Sequence, residues 1–215
     1  GQGLIGLAPM PWNDCIVGFS HPKGDVLLYN PETHDLEINY HDPDHLARPG
    51  RIVVPSSYNK IFTFQTSQKL GIYEIGAEKR RFTDESISYY FMNGRAISKD
   101  GKKAYVCDYQ ARLWRLDMEN EKLIKIGGFG GWSNKDVRCY GLTFSLDEKK
   151  VYGITTTSEL YEYDEESGEI NKLLGKSTIG AGGFSGYNCT DSKGNIYFAR
   201  HKFSHPHPCG ILKFD

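Results

Sequence analysis

The stretch Ser98-Lys99-Asp100-Gly101-Lys102-Lys103-Ala104-Tyr105-Val106 decides the fold of this chain. Its polar turn residues separate two strand-like stretches, a pattern that predicts a β-hairpin. Close copies follow at 145–153 and 190–198, and weaker ones lie at 10–18 and 55–63. One position in the second stretch of each copy recurs with steps of 45, 43, 47 and 45 residues: Val17, Phe62, Tyr105, Tyr152 and Tyr197. The chain is therefore an internal repeat.

Each hairpin is followed by further strand-like segments. A third segment closes on a turn residue at 26–30, 72–76, 113–117, 160–164 and 211–215, and short fourth segments lie at 36–40, 123–126 and 170–174. Four antiparallel strands per ~45 residues are typical of propeller blades. We therefore predict an all-β chain, a β-propeller of four-stranded antiparallel blades. Residues 1–215 form one propeller domain or propeller segment, with five blades at approximately 5–40, 50–82, 94–127, 141–175 and 186–215.

The hairpin from Ser98 to Tyr105 resembles the one that recurs in YVTN-type and gluconolactonase-type propellers, and the resemblance covers all five repeats. It implies a blade rather than a chemistry. Gluconolactonase-like propellers bind a divalent cation through acidic and amide groups of the channel. The column expected to line the channel here contains no acid, which argues against lactonase activity: Leu7, Ile52, Arg95, Leu142 and Tyr187.

The fifth repeat stops after its third strand. We therefore expect an exposed or partner-covered sheet edge at 211–214. Because a propeller normally closes by completing one terminal blade with the other terminus, this favours a segment of a larger ring of about seven blades. The alternative is a five-bladed ring with one three-stranded blade.

Composition limits the partners. The formal net charge is −1, whereas a nucleic-acid-binding surface needs a basic excess. No apolar run reaches the ~18–20 residues of a membrane span, and the first residues do not form a signal peptide. We predict no nucleic-acid partner and no membrane span. The compartment stays open, and a secreted or periplasmic location is favoured if the protein acts on sugars.

Five cysteines form no dense framework and no Cys-x-x-Cys pair, so neither a disulfide scaffold nor a zinc ribbon is expected. Cys107 and Cys189 lie in strand-like runs and are predicted to be inert core residues. Asn188-Cys189-Thr190 fits a glycosylation sequon, but it lies within a predicted inner strand where a glycan has no room.

Histidines concentrate in the loops that leave one face of the predicted blades, where six of the seven lie. The fifth blade carries an insertion, His205-Pro206-His207-Pro208-Cys209, just after His201. Imidazole and thiolate groups suit zinc or a similar divalent metal, so His201, His205 and His207 form a candidate metal site, and no other cofactor is implied. The alternative is a proline-stiffened surface loop with solvated histidines.

The same loops predict a sugar site. In residue inventory this face is similar to sugar-acting polysaccharide-lyase propellers. In such lyases arginine neutralises a uronate carboxylate, one side chain takes the adjacent proton and another protonates the departing oxygen. We assign His201 as the base and Tyr140 as the proton donor. The substrate-binding candidates are Arg95, Arg138, Arg200, Tyr187 and Trp132.

Two functions follow from these residues. The first is a propeller that binds or cleaves an acidic oligo- or polysaccharide, as a lyase or glycosidase, with a carbohydrate ligand at this loop face. The alternative is a non-catalytic module that binds a ligand or a protein partner on the same face.

Overall fold

The computed structural model describes residues 3–10, 12–21, 25–40, 53–64, 69–77, 81–86, 91–108, 110–130, 137–157, 159–174, 184–200 and 210–214. In these ranges all regular secondary structure consists of β-strands, and none of the described residues lies in a helix. The chain divides into two compact units. The first is Gly1–Phe91 with Lys99–Lys103 and Asp117–Lys122, and the second is Met92–Ser98 with Ala104–Leu116 and Leu123–Asp215.

The strands form five antiparallel sheets, each ordered as the chain runs. The first two contain β1 (Gly3–Met10), β2 (Cys15–His21), β3 (Val26–Tyr29) and β4 (Leu36–Tyr40), then β5 (Val53–Ser56), β6 (Lys60–Phe64), β7 (Lys69–Glu74) and β8 (Arg81–Ser86). The third and fourth contain β9 (Phe91–Ile97), β10 (Lys103–Asp108), β11 (Arg112–Asp117) and β12 (Lys122–Gly128), then β13 (Cys139–Phe144), β14 (Lys150–Thr155), β15 (Leu160–Asp164) and β16 (Ile170–Leu174). This meander of four strands per repeat confirms the predicted propeller blades.

The fifth sheet has three strands in the described part of the chain: β17 (Phe184–Thr190), β18 (Ile196–Arg200) and β19 (Gly210–Phe214). Among the described residues β19 pairs with β18 alone, and Ile211 on it is 73% exposed. In the described part of the chain β19 therefore forms an edge of its sheet, and a partner-covered edge at 211–214 stays a prediction.

The repeated column contributes to the core through Val17, Phe62 and Tyr105, whereas Tyr152 and Tyr197 are half-buried. Val17 and Phe62 are fully buried in the first unit. In the second unit Tyr105 packs edge-on against Phe144, with ring centroids 5.8 Å apart, and its hydroxyl donates to Glu165 Oε1 at 2.6 Å. Burial and this bond raise the pKa of Tyr105. Tyr105 of the third sheet thus packs against residues of the fourth sheet.

The turn between the third and fourth strands has a repeated chemistry. Asp164 Oδ1 accepts the main-chain N–H groups of Glu166 and Ser167, both at 2.9 Å. Asn30 and Asp117 bind their own turns in the same way. The fifth turn position then takes a positive φ in the same three sheets, with values of 61°, 60° and 73°: His34, Glu121 and Gly168.

Candidate functional site

The second strand of each sheet leads into the third through a connection that we call the middle loop. The position three residues after the repeated core column, near the end of the second strand, is polar in all five repeats: Ser20, Gln65, Asp108, Thr155 and Arg200. In the first sheet Ser20 Oγ donates to Asp25 Oδ2 at 2.8 Å and accepts the Asp25 N–H at 3.0 Å. Both side chains are buried, so this pair links β2 to the residue that precedes β3.

In the third sheet an ion pair fixes the middle loop. Asp108 is fully buried, and its Oδ2 lies 2.5 Å from Arg112 Nε. Its Oδ1 accepts the main-chain N–H groups of Gln110 and Arg112 at 2.9 and 3.1 Å. Trp114 donates its indole N–H to Oδ2 at 3.0 Å, and Arg112 lies 5.8 Å from the centre of the Trp114 ring. A buried carboxylate is therefore matched by a cation and several donors.

In the fourth sheet a threonine and a glutamate take this place. Thr155 Oγ1 accepts the Glu159 main-chain N–H at 3.2 Å. Glu159 Oε2 accepts the hydroxyl groups of Thr157 at 2.8 Å and Tyr161 at 3.3 Å, and Glu159 Oε1 pairs with Lys172 Nζ. The carboxylate is thus occupied on both oxygens.

These contacts determine the protonation states of Glu159 and Tyr161. Burial acts to raise the pKa of Glu159, but the bonds from Lys172 and Thr157 outweigh it and lower that pKa. Burial and the neighbouring Glu159 charge raise the pKa of Tyr161 to about 12. Near neutral pH Glu159 is therefore ionised and Tyr161 protonated, and neither is poised for proton transfer.

Phe129 connects the middle loops of the third and fourth sheets. Its main-chain N–H donates to the Ala111 carbonyl oxygen at 2.9 Å. Its ring is fully buried and stacks on Tyr161, with centroids 5.4 Å apart and planes inclined by 20°. Phe129 therefore connects the third middle loop to β15 of the fourth sheet within the second unit.

The predicted binding residue Arg138 lies just before β13, beside the middle loop of the fourth sheet. Its main-chain N–H donates to Thr156 Oγ1 at 3.1 Å, and its carbonyl oxygen accepts the Thr156 N–H at 2.7 Å. Arg138 is half-buried, as is Arg95 in β9. The backbone that carries Arg138 is thus held on both sides.

Three further candidates are placed by their backbone. Tyr140 lies in β13 at an irregularity between Cys139 and Gly141, and Tyr187 lies in β17 within another irregularity. Arg200 ends β18, where it pairs with Phe184 on β17 and Gly210 on β19.

The remaining candidates, Trp132, His201, His205 and His207, lie outside the described residues. Among the residues that the structure does describe, no group of three or more His, Cys, Asp or Glu side chains could hold a metal ion. The metal site predicted at the histidines stays a prediction.

Two strands of neighbouring sheets, β13 and β17, are joined by side chains. Asn188 donates its side-chain amide to the Leu142 carbonyl oxygen, and Thr190 donates its hydroxyl to the Phe144 carbonyl oxygen at 2.6 Å. The residue numbers of the bonded partners increase by two on both strands, so β13 and β17 run in the same direction. Arg138 precedes β13 and Arg200 faces the first residue of β17. The two arginines therefore lie at the same end of two neighbouring sheets.

The structure of β17 confirms the position predicted for the sequon and overturns the prediction for one cysteine. The sequon lies within β17 as predicted, and the amide that would carry a glycan is hydrogen-bonded to Leu142. Cys107 is fully buried, as predicted. The prediction that Cys189 belongs to the core is wrong, since it is exposed. Asn188 and Thr190 point toward β13, and alternation along a strand turns Cys189 to the other side.

Sequence reasoning missed the polar residues that fix the middle loops. Their signal was present, because the polar column lies at a constant distance from the core column. The repeat therefore indicated that position, although the partners differ in residue type: Asp25, Arg112 and Glu159.

Comparisons with known proteins give the fold. No family model and no curated protein sequence matches this chain. A chain in the crystal structure of a nidogen/laminin complex is similar at a TM-score of 0.68, with 13% identity over 92% of this chain and 72% of that one. The tricorn protease is similar at a TM-score of 0.60, with 15% identity over 98% of this chain and 21% of that one.

The chain has a β-propeller fold. At these identities the likeness establishes the fold alone, because propellers carry many unrelated functions. None of the described residues belongs to a helix long and apolar enough to cross a membrane.

Proposed function

We propose that this propeller binds an acidic oligo- or polysaccharide at the end of the fourth and fifth sheets where Arg138 and Arg200 lie. The observation that carries the proposal is the common direction of β13 and β17, which brings the backbones of these arginines to the same end of two neighbouring sheets. A guanidinium group binds a carboxylate through two parallel N–H donors, and a pair of arginines suits a chain of uronates.

The charges of the neighbouring groups favour an anion. Asp108 is neutralised by Arg112, and Glu159 by Lys172. The described carboxylates of the third and fourth middle loops are therefore compensated within the fold. Half-buried Trp114 adds aromatic surface, and aromatic faces beside polar groups suit pyranose rings.

Binding is tested with two arginine variants of the purified protein. We expect polygalacturonate or alginate to bind in isothermal titration calorimetry, and neutral dextran not to bind. Arg138→Ala and Arg200→Ala should each weaken binding about tenfold or more, because each removes a charge-assisted contact. Arg115→Ala, at an exposed arginine of β11, is the matched control and should bind as the wild type does. Equal loss in all three variants would indicate unspecific charge attraction and overturn the site.

Cleavage is the second part of the proposal. His201 takes the proton beside the uronate carboxylate, the bond to the departing glycosidic oxygen breaks as the ring double bond forms, and Tyr140 protonates that oxygen. The unsaturated product absorbs in the ultraviolet. His201→Ala and Tyr140→Phe should abolish this absorbance but leave polysaccharide binding intact. Binding without any absorbance in the wild type would leave a non-catalytic sugar-binding module.

A protein partner on the same face is the second candidate. It is favoured by the middle loops of the third and fourth sheets, where the Asp108–Arg112 ion pair and the hydrogen bond between Thr155 and Glu159 hold the described loop residues before any partner arrives. A chain with a similar fold is present in the crystal structure of a nidogen/laminin complex. Cross-linking with mass spectrometry shows whether a protein partner binds the middle-loop face or the hairpin-turn face. Cross-links between the partner and Lys172, which lies beside a middle loop, support this candidate. Cross-links only from Lys193, in a hairpin turn, count against it.

A further inference from the structure

One apolar position of the third strand has a different environment in the fifth sheet. The residue there is buried in four sheets and 73% exposed in the fifth, in chain order Val26, Ile72, Leu113, Leu160 and Ile211. Leu160 shares an apolar cluster with Ile196 and Phe198 of the fifth sheet. In the fourth sheet this position therefore faces the sheet that follows it.

The fifth sheet covers Leu160 with one of its two faces. Four apolar residues of that face belong to the cluster or pack against it: Ile196, Phe198, Leu212 and Phe214. Successive residues of a strand point to opposite faces, so Ile211 and Lys213 lie on the other face. Their direct partners on β18 are Ala199 and Tyr197. We call these four residues the forward face of the fifth sheet.

The first sheet presents a face with the corresponding covering residues. Phe19 packs edge-on against Tyr73 of the second sheet, with ring centroids 5.2 Å apart, so the alternate residues of β2 face away from the second sheet. On that side three of the four covering positions of the fifth sheet recur as apolar residues: Ile16, Leu27 and Tyr29. Leu36 and Ile38 of β4 pair with Tyr29 and Leu27. We call these five residues the covering face of the first sheet.

The covering face of the first sheet is open to solvent. Leu36 and Ile38 on it are 62% and 63% exposed. In the fourth sheet the position of Leu36 is taken by Ile170, which packs against the apolar cluster of the third and fourth sheets. Neighbouring exposed apolar side chains of this size mark a surface that binds a partner.

We propose that two copies of this chain bind head-to-tail, with the covering face of one copy on the forward face of the other. The repeat identifies this occupant. Within the chain, the buried position of the fourth sheet is covered by a sheet that carries apolar residues where the first sheet has Ile16, Leu27 and Tyr29. A head-to-tail contact joins two different patches, so each patch can be disrupted separately.

Sedimentation velocity ultracentrifugation tests the proposal on the whole chain. The weight-average mass should rise above that of one chain over a roughly hundredfold range of protein concentration. Ile38→Asp and Ile211→Asp each place a charge in the contact and should each weaken association about tenfold or more. Leu146→Asp is the matched control, because this leucine is 47% exposed in a hairpin turn outside both faces, and it should associate as the wild type does.

A mixture of the two face variants tests the head-to-tail arrangement. The Ile38→Asp chain keeps a native forward face, and the Ile211→Asp chain keeps a native covering face. The mixture should therefore form a complex, although each variant alone associates weakly. Both substitutions lie at exposed positions, and circular dichroism checks that each variant is folded.

The proposal is wrong if the wild type keeps the mass of one chain at every concentration, which would leave the two faces to a sheet of another protein. It is also wrong if Leu146→Asp weakens association as much as the face variants do. Loss of association in Ile38→Asp but not in Ile211→Asp would indicate a symmetric contact between two first sheets and would overturn the head-to-tail arrangement. The wild-type measurement decides alone if a face variant does not fold.

Discussion

The hydroxyl of Thr190 donates to the main-chain carbonyl oxygen of Phe144 at 2.6 Å, across the boundary between the fifth and fourth sheets. Asn188 makes the corresponding bond to Leu142 two residues earlier. The innermost strands β13 and β17 belong to different sheets and share no main-chain ladder. Side chains therefore satisfy these carbonyl groups.

Thr190→Val should destabilise the protein by about 1–2 kcal/mol, because the Phe144 carbonyl group loses its donor. Thr190→Ser keeps the hydroxyl and should lose much less. Urea unfolding followed by circular dichroism measures both. Equal stability of the valine variant and the wild type would show that this bond contributes nothing.

Asp108→Ala should cost about 3 kcal/mol or more, because it leaves the Arg112 charge buried without its carboxylate. The double variant Asp108→Leu with Arg112→Met removes both charges and should be more stable than Asp108→Ala alone. Thermal unfolding compares the three proteins. A double variant that is less stable than Asp108→Ala would contradict the ion-pair account.

Gly101→Ala and Gly194→Ala test one hairpin turn against another. Both glycines have a positive φ, at 68° and 88°. A Cβ at Gly101 would come within 2.5 Å of the Trp12 ring, whereas one at Gly194 would meet nothing within 4 Å. Gly194→Ala should cost about 1–2 kcal/mol from backbone strain alone, and Gly101→Ala clearly more. Equal losses in denaturant unfolding would mean that Trp12 moves aside freely.

Glu121 should make stability depend on pH. Its carboxylate lies 2.6 Å from Lys60 Nζ and accepts from Arg81 Nη1 at 2.5 Å, and the Arg81 bond is the main reason that its pKa falls from 4.5 to about 2. A lowered pKa stabilises the fold fully above about 4.5, and this stabilisation is lost as the pH falls toward 2. Glu121→Gln should therefore flatten the stability profile in that window. Glu166→Gln, at an exposed turn, is the control and should keep the wild-type profile.

Local sequence was sufficient for the strands and turns of this propeller. Alternating apolar residues and the turn chemistry of positions such as Asp100 and Asp164 act over a few residues, so the repeat reveals them directly. The same count of strands predicted that β19 lies at an edge of the fifth sheet, as it does among the described residues. For the site, the repeat register placed Arg138 and Arg200 at strand ends, and the structure places them there.

Contacts between sheets were decided only by the tertiary structure. The burial of Cys107 and Cys139 in one apolar cluster, the exposure of Cys189 and the bonds from β17 side chains to the carbonyl groups of β13 depend on which strand faces which. Such partners lie at irregular distances along the chain, and no local pattern links them. A repeat specifies how each blade folds because its interactions are local, whereas the partners between blades are set by packing, which each sheet acquires only beside its neighbour.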